Sequence, residues 1–191
     1  MDLKLQGKSV LVMAASKGLG KATALEFARE GAYVTIASRN PDHLLQARDD
    51  IERETGVAVT TVAADVASAA DIENAVRVAS ARTGGVDVLV TNAGGPPAGS
   101  FDTFDDRAWQ TAYENNLLSV IRLIRAVLPS MRAGKSGRIV NLTSVSIKQP
   151  LNDLLLSNVF RAGVYALTKS LASELGKDGI LINTVAPGSI E

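Results

Sequence analysis

Residues 9–30, SVLVMAASKGLGKATALEFARE, decide how the rest of the chain is read. Ser9 to Ala14 is apolar enough for a buried strand, and the stretch after Gly20 is rich in Ala, Leu and Glu, as a helix requires. Between them lies the turn Ala15-Ser16-Lys17-Gly18-Leu19-Gly20. A glycine-rich turn that opens a helix lets the backbone approach a phosphate and aims unpaired N–H groups and the positive end of the helix dipole at it. A plain strand-to-helix turn needs the same glycines with no ligand, so the remaining sequence has to arbitrate.

Outward from that unit, β-branched apolar runs of strand length alternate with longer helical segments, the pattern of parallel βαβ units. The runs predict strands over Ser9 to Ala14, Tyr33 to Ser38, Val57 to Ala64, Val86 to Thr91, Arg138 to Thr143 and Ile180 to Val185. Near-continuous hydrophobicity fits strands buried on both faces. Helices are predicted from about Gly18 to Glu30, Pro41 to Thr55, Ser68 to Thr83, Phe104 to Arg132 and Asp153 to Lys177. Gly31, Gly56, Gly84, Gly134 and Gly179 stand just past helix ends, where a left-handed cap is expected. Thr103 with Asp106 resembles a capping box opening the fourth helix. The fold class is α/β, a Rossmann-type doubly wound parallel sheet of about six strands, and no linker divides the 191 residues into more than one domain.

Composition removes several classes of function. Twenty basic and twenty acidic residues leave no net charge and no basic run, so nothing electrostatic recommends nucleic acid or an anionic membrane as partner. With no cysteine there is no disulfide, thiolate catalysis or cysteine-metal site, and one histidine (His43, in a polar helix start) leaves metal binding unsupported. The N-terminal MDLKLQGKS lacks an apolar signal core, and no apolar run approaches the ~20 residues of a membrane span. A cytoplasmic protein is the expectation.

Residues 141–175, NLTSVSIKQPLNDLLLSNVFRAGVYALTKSLASEL, carry a family resemblance. A strand ending in Ser144 leads into a helix holding the small pair Ala162-Gly163, which resembles the active-site segment of the short-chain dehydrogenase/reductases, in particular the 3-oxoacyl-acyl-carrier-protein reductases. In that family the small pair follows Tyr-x-x-x-Lys. Here the frame puts Ser157 at the tyrosine position, thirteen residues after Ser144, and Arg161 at the lysine position. Tyr165 and Lys169 also spell the motif. Eight residues further along a helix they are displaced by roughly 12 Å and rotated by roughly 80°, so the match is accidental. The family asparagine that holds a relay water matches Asn116, in WQTAYENNL.

The resemblance implies a nicotinamide cofactor. The turn is similar to the family's Gly-x-x-x-Gly-x-Gly, with Ala14 in place of the first glycine and Ser16, Lys17, Gly18, Leu19 and Gly20 completing it. If that first position needs positive φ, alanine there costs on the order of 1 kcal/mol. Asp65-Val66 matches the adenine contact, Asn92-Ala93-Gly94 the segment packed on the cofactor, and Pro187-Gly188 the turn beside the nicotinamide. Cofactor choice follows from charge: an NAD site places an acid after the second strand, but Ser38 and Arg39 stand there, with Lys17 adding a second cation. NADP(H) is expected.

The family tyrosine exchanges a proton with the substrate oxygen. Ser157 cannot replace it, because a phenol titrates near pH 10 and an aliphatic hydroxyl is far less acidic. Arg161 carries a fixed charge able to stabilise an alkoxide or hold an anionic group, but it gives up no proton. Two expectations follow. One is an oxidoreductase reducing a small-molecule carbonyl, or oxidising the matching alcohol, through Asn116, Ser144, Ser157 and Arg161. The other is an NADP(H)-binding protein acting through oligomer or partner contacts. Family members usually pair into homodimers or homotetramers through the fourth and fifth helices. They also continue past the Pro187 to Glu191 region into a lid and a last strand, which implies a shortened chain here.

Overall fold

The computed structural model describes residues 3–188; Ser189, Ile190 and Glu191 lie outside the described residues. Strand and helix alternate as β1 (Ser9–Met13), α1 (Gly18–Arg29), β2 (Tyr33–Ser38), α2 (Pro41–Thr55), β3 (Thr60–Ala63), α3 (Ala69–Ser80) and β4 (Val88–Thr91). The second half runs α4 (Asp106–Tyr113), α5 (Ser119–Ala133), β5 (Gly137–Leu142), α6 (Leu155–Leu175) and β6 (Ile180–Val185). Every ladder is parallel and the strand order is β3-β2-β1-β4-β5-β6. The order reverses direction between β1 and β4, and such a reversal opens a crevice at the carboxyl ends of the strands.

Both faces of the sheet are covered, which is why its strands read as unbroken apolar runs. On one face α1 and α2 pack Ala24, Ala28, Leu44 and Ile51 against Val10, Val12, Val34 and Ile36. On the other, α3, α5 and α6 pack Ile72, Leu123, Val127 and Val164 against Leu11, Met13, Leu89 and Ile139. A smaller cluster joins α4 to α6, with Trp109 edge-on to Phe160 at 5.8 Å and Tyr113 beside it. Among the described residues no helix is long and apolar enough to cross a membrane.

The structure corrects several predicted boundaries. The third strand starts at Thr60 rather than Val57, because the Val57 N–H goes to Thr55 Oγ1 (3.2 Å) and the Val59 N–H to Glu52 Oε1 (2.7 Å) instead of to a ladder. The fourth begins at Val88, two residues after the predicted Val86. The long fourth helix is broken in two. Its start is capped by Asp105, whose Oδ1 accepts from Ala108 N at 2.8 Å, while Thr103 pairs with Ser100 around a separate short turn at Phe101–Thr103. The expected Thr103–Asp106 box does not form. Between α4 and α5, Glu114–Leu118 is a π-helical turn. There the Asn116 amide donates to Ala112 O (3.1 Å) and the Ser119 hydroxyl to Asn115 O (2.6 Å), so side-chain donors compete with the backbone ladder. The last helix starts at Leu155, since Asp153 has φ 57. Gly31, Gly56, Gly84 and Gly179 take positive φ as expected, but Gly134 does not; Lys135 turns the chain there with φ 47.

Ala14, the residue after β1, has φ 47, a conformation that alanine adopts under strain. Ala14→Gly is therefore expected to stabilise the fold by about 0.5–1 kcal/mol, relief of the strain outweighing the greater chain entropy of glycine. Thermal unfolding of the two proteins checks this, and a lower midpoint for the glycine variant would contradict it.

Candidate active site and nucleotide cleft

At the reversal point a cleft of about 680 Å³ opens over the carboxyl ends of the strands. Ala14, Ser16 and Lys17 of the glycine-rich turn form one side of it. The positive φ of Ala14 swings the chain so that Ala15 N donates to Ala37 O (3.1 Å), and Ala14 O receives Asn92 Nδ2 (3.3 Å) from the end of β4. Gly20 is held against this turn. A Cβ there would lie 2.5 Å from Ala14 O and 2.9 Å from Ala15 Cα, so only glycine lets α1 start this close to β1. Lys17, the N-cap of α1, makes no side-chain cap bond, which leaves the opening N–H groups of the helix for another acceptor.

A dinucleotide fits this donor set. The cleft lies at the switch point beside the uncapped start of α1, and Lys17 and Arg39 both line it. No carboxylate lies within ion-pair distance of either cation among the described residues. Ser16 and Ser38 share a hydroxyl hydrogen bond of 3.1 Å between them.

Of the residues expected at the nucleotide, Ala14, Ser16, Lys17, Ser38, Arg39, Val66, Asn92, Ala93 and Gly94 line the cleft. Gly18, Leu19 and Gly20 shape the turn without lining it. Asp65 is also absent from the lining: its Oδ1 accepts from Ala67 N (2.9 Å) in a tight turn, and its own N–H donates to Asp71 Oδ2 (2.8 Å). Pro187 and Gly188 lie outside the cleft lining too, and the Pro187 carbonyl accepts from Val145 N (2.9 Å), which pins the turn after β6 to the segment after β5. Sequence reasoning missed the far wall, formed by Gly95, Pro96 and Pro97 after β4 and by Asp105, Arg107, Ala108, Thr111, Ala112 and Asn115. The four-residue spacing of Arg107 with Thr111 and of Ala108 with Ala112 puts each pair on one helix face and was the available signal.

Of the four candidate catalytic residues, two share a space and two lie outside it. Asn116 is buried in the π turn; its Oδ1 has no hydrogen-bond partner among the described residues, and the residue lines both the cleft and a second, much smaller chamber of about 10 Å³. Arg161 lines that same chamber with Asn92, Ala93 and Thr143. Its Nη1 donates to Leu142 O (3.2 Å) and Thr143 O (3.0 Å), so the guanidinium is tied to the end of β5. Burial pushes its pKa below the usual arginine value. Ser144 and Ser157 line neither space. The Ser144 hydroxyl accepts from Ser146 N (3.2 Å) at the start of the turn Val145–Ile147 and keeps its own proton to donate. Ser157 is 7% exposed in the first turn of α6. Tyr165, by contrast, is 42% exposed, on another face of α6.

Beneath these residues a buried polar chain fixes the strand ends. Thr91 Oγ1 donates to Asn141 Oδ1 (2.7 Å), Asn141 Nδ2 to Thr168 Oγ1 (2.8 Å), and Thr184 Oγ1 to the same Thr168 oxygen (2.9 Å). It links β4, β5, β6 and α6, of which β4, β5 and α6 line the small chamber through Thr91, Leu142, Arg161 and Val164.

The parallel order, the reversal at β1/β4 and the cleft beside the glycine-rich turn there define a dinucleotide-binding α/β protein. The short chain dehydrogenase family model matches residues 8–191, and the chain belongs to that family of oxidoreductases. A 3-oxoacyl-[acyl-carrier-protein] reductase of Vibrio cholerae is 36% identical over 99% of this chain and 76% of its own length. Among solved structures, L-sorbose reductase of Gluconobacter frateurii complexed with NADPH and L-sorbose matches with a TM-score of 0.95 and 34% identity, over the whole of this chain and 73% of that one. A variant actinorhodin polyketide ketoreductase with NADPH matches at 0.92 and 35% identity, over 97% of this chain and 71% of that one.

Proposed function

We propose that this chain is an NADP(H)-dependent oxidoreductase that reduces a carbonyl of a small molecule, of the 3-oxoacyl kind, or oxidises the matching alcohol. The observation that carries the cofactor choice is the pair of uncompensated cations, Lys17 and Arg39, on one wall of the cleft, with Ser38 where an NAD site has an acid. A ribose 2′-phosphate meets both charges there, and Arg39 grips it bidentately. The similarity to structures holding NADPH supports the same choice.

When bound, the cofactor supplies hydride exchange at its nicotinamide. The chain's own residues place and polarise the other reactant. Ser144 offers a hydrogen bond from its hydroxyl to a substrate oxygen and keeps its proton; the proton that completes the alcohol comes from solvent water. Arg161 contributes a fixed positive charge near that oxygen, where negative charge develops as the carbonyl is reduced. Asn116 offers its unpartnered Oδ1 to a hydroxyl at the inner end of the cleft. Ser157 gives a hydrogen bond and no ionisable proton.

Titration calorimetry checks the cofactor reading. The native chain is expected to bind NADPH more tightly than NADH, and Arg39→Ala to lose about tenfold of that preference while NADH binding is unchanged. Equal affinities for the two nucleotides, or a preference that survives Arg39→Ala and Lys17→Ala together, would sink it. Turnover is checked with NADPH on a panel of 3-oxoacyl thioesters, ketoses and simple ketones.

A further inference from the structure

We infer that Arg161 makes the inner end of the cleft discriminate between the two redox forms of the nicotinamide cofactor, holding the neutral reduced ring and repelling the cationic oxidised one. The inference rests on the cofactor reading above and adds a determinant to it.

Three observations converge on Arg161. Its acceptors are neutral: both hydrogen bonds from Nη1 go to main-chain carbonyls, and no ion pair to it forms among the described residues. The chamber it lines contains no acidic residue and shares Asn92, Ala93 and Asn116 with the main cleft, so the guanidinium stands directly behind the cleft's inner wall. Its position is fixed from the strand side, because Thr143 N donates to Val185 O (2.9 Å) and Val145 N to Pro187 O (2.9 Å), which locks the carbonyls it holds to the end of β6. Burial, which lowers its pKa, marks a charge poorly screened by water.

The orientation of the ligand follows from the cleft itself. Arg39 and Ser38 close the β2 side, where an adenosine ribose phosphate is gripped, and the pyrophosphate lies over the turn at β1. A dinucleotide that crosses the reversal point must then carry its nicotinamide past the end of β4, toward the side of the sheet that holds Arg161. The oxidised ring carries one positive charge and the reduced ring none, while the phosphates and adenosine are common to both forms. Lys17 and Arg39 act on the two forms through the same phosphates, and Arg107 and Asp105 on the far wall carry opposite charges that offset each other, so the charge behind the nicotinamide is what separates the forms. At the screening typical of protein sites, like charges roughly 10 Å apart change a binding constant by about tenfold.

The test is equilibrium binding, read by calorimetry, of NADP⁺ and NADPH to the native chain and to Arg161→Gln and Arg161→Lys. Glutamine keeps a donor for the Leu142 and Thr143 carbonyls without the charge; lysine keeps the charge. The native chain is expected to bind NADPH at least about tenfold more tightly than NADP⁺, the glutamine variant to bring the ratio close to one by gaining affinity for NADP⁺, and the lysine variant to keep most of it. A native ratio near one overturns the inference without touching the cofactor reading, and needs no variant. A ratio that survives in the glutamine variant, or parallel losses for both nucleotides, assigns Arg161 a purely structural part and also overturns it. Binding of neither nucleotide by the native chain would sink the cofactor reading together with this inference.

Discussion

The double substitution Ser157→Tyr with Arg161→Lys is expected to raise carbonyl reduction at least about a hundredfold over the native chain, the scale of a positioned general acid. Its basis is the frame around the two positions. Ser157 and Arg161 stand one helical turn apart on α6, both face inward, and Arg161 reaches the end of β5 that leads into Ser144. A phenol at 157 brings a group that exchanges its proton in the accessible pH range, and an ammonium at 161 depresses the phenol's pKa from the same side. The lysine change alone is expected to give little, since a serine gains nothing from a neighbouring lysine, while the tyrosine change alone gives part of the gain, because the Arg161 charge also depresses the phenol's pKa. Initial rates with NADPH on the carbonyl panel decide this, with calorimetry and thermal unfolding run alongside to show that the variant folds and binds. A folded, NADPH-binding double variant no faster than the native chain would refute the assignment of these two positions. In the native chain Arg161→Ala is expected to lower kcat more than it changes KM, the pattern of an interaction made mainly in the transition state.

Gly20→Ala is expected to cost about 3 kcal/mol of stability and at least a hundredfold in nucleotide affinity. The added carbon would lie 2.5 Å from Ala14 O, 2.9 Å from Ala15 Cα and 3.0 Å from Asn92 Nδ2. Two of those atoms are backbone and cannot swing aside, so α1 must back away from β1, and that side of the cleft moves with it. Gly18→Ala is the matched control. Its Cβ would meet nothing within 4 Å, so only the positive φ of 55 opposes it, at about 1 kcal/mol. Denaturant unfolding separates the two variants, and equal losses would mean that conformational strain, rather than the close approach of helix to strand, is why glycine stands at position 20.

Much of this architecture follows from the chain's own periodicity. Strands buried on both faces must be apolar throughout, and helices covering them must carry a stripe, so the alternation of the two patterns announces a parallel sheet before any contact is known. The glycine-rich turn was legible for the same reason: few residues other than glycine let a helix begin so near a strand, and the positive φ of Ala14 is the strain that its departure from glycine implies. The cations at 17 and 39 were legible as charges, and their place on one wall of the cleft follows from the strand ends they adjoin.

What local pattern does not contain is the choice of partner across long separations. The break of the predicted fourth helix comes from Asn116 and Ser119 competing for carbonyls in a turn that reads as ordinary helix. Asp65, a plausible ligand contact by position, has its carboxylate drawn into a turn with Ala67. Arg161 reads as a free cation at a catalytic position, but its guanidinium reaches back nineteen residues to Leu142 and is held there. The sequence by itself determined the layer order, the cleft's location and the chemical types around it, because these depend on burial and on the short-range geometry of glycine and helix ends. Only the tertiary structure decided which of those groups face the cleft and which are tied to backbone, because a side chain's hydrogen bonds are settled by whatever the packed sheet brings within about 3 Å of it.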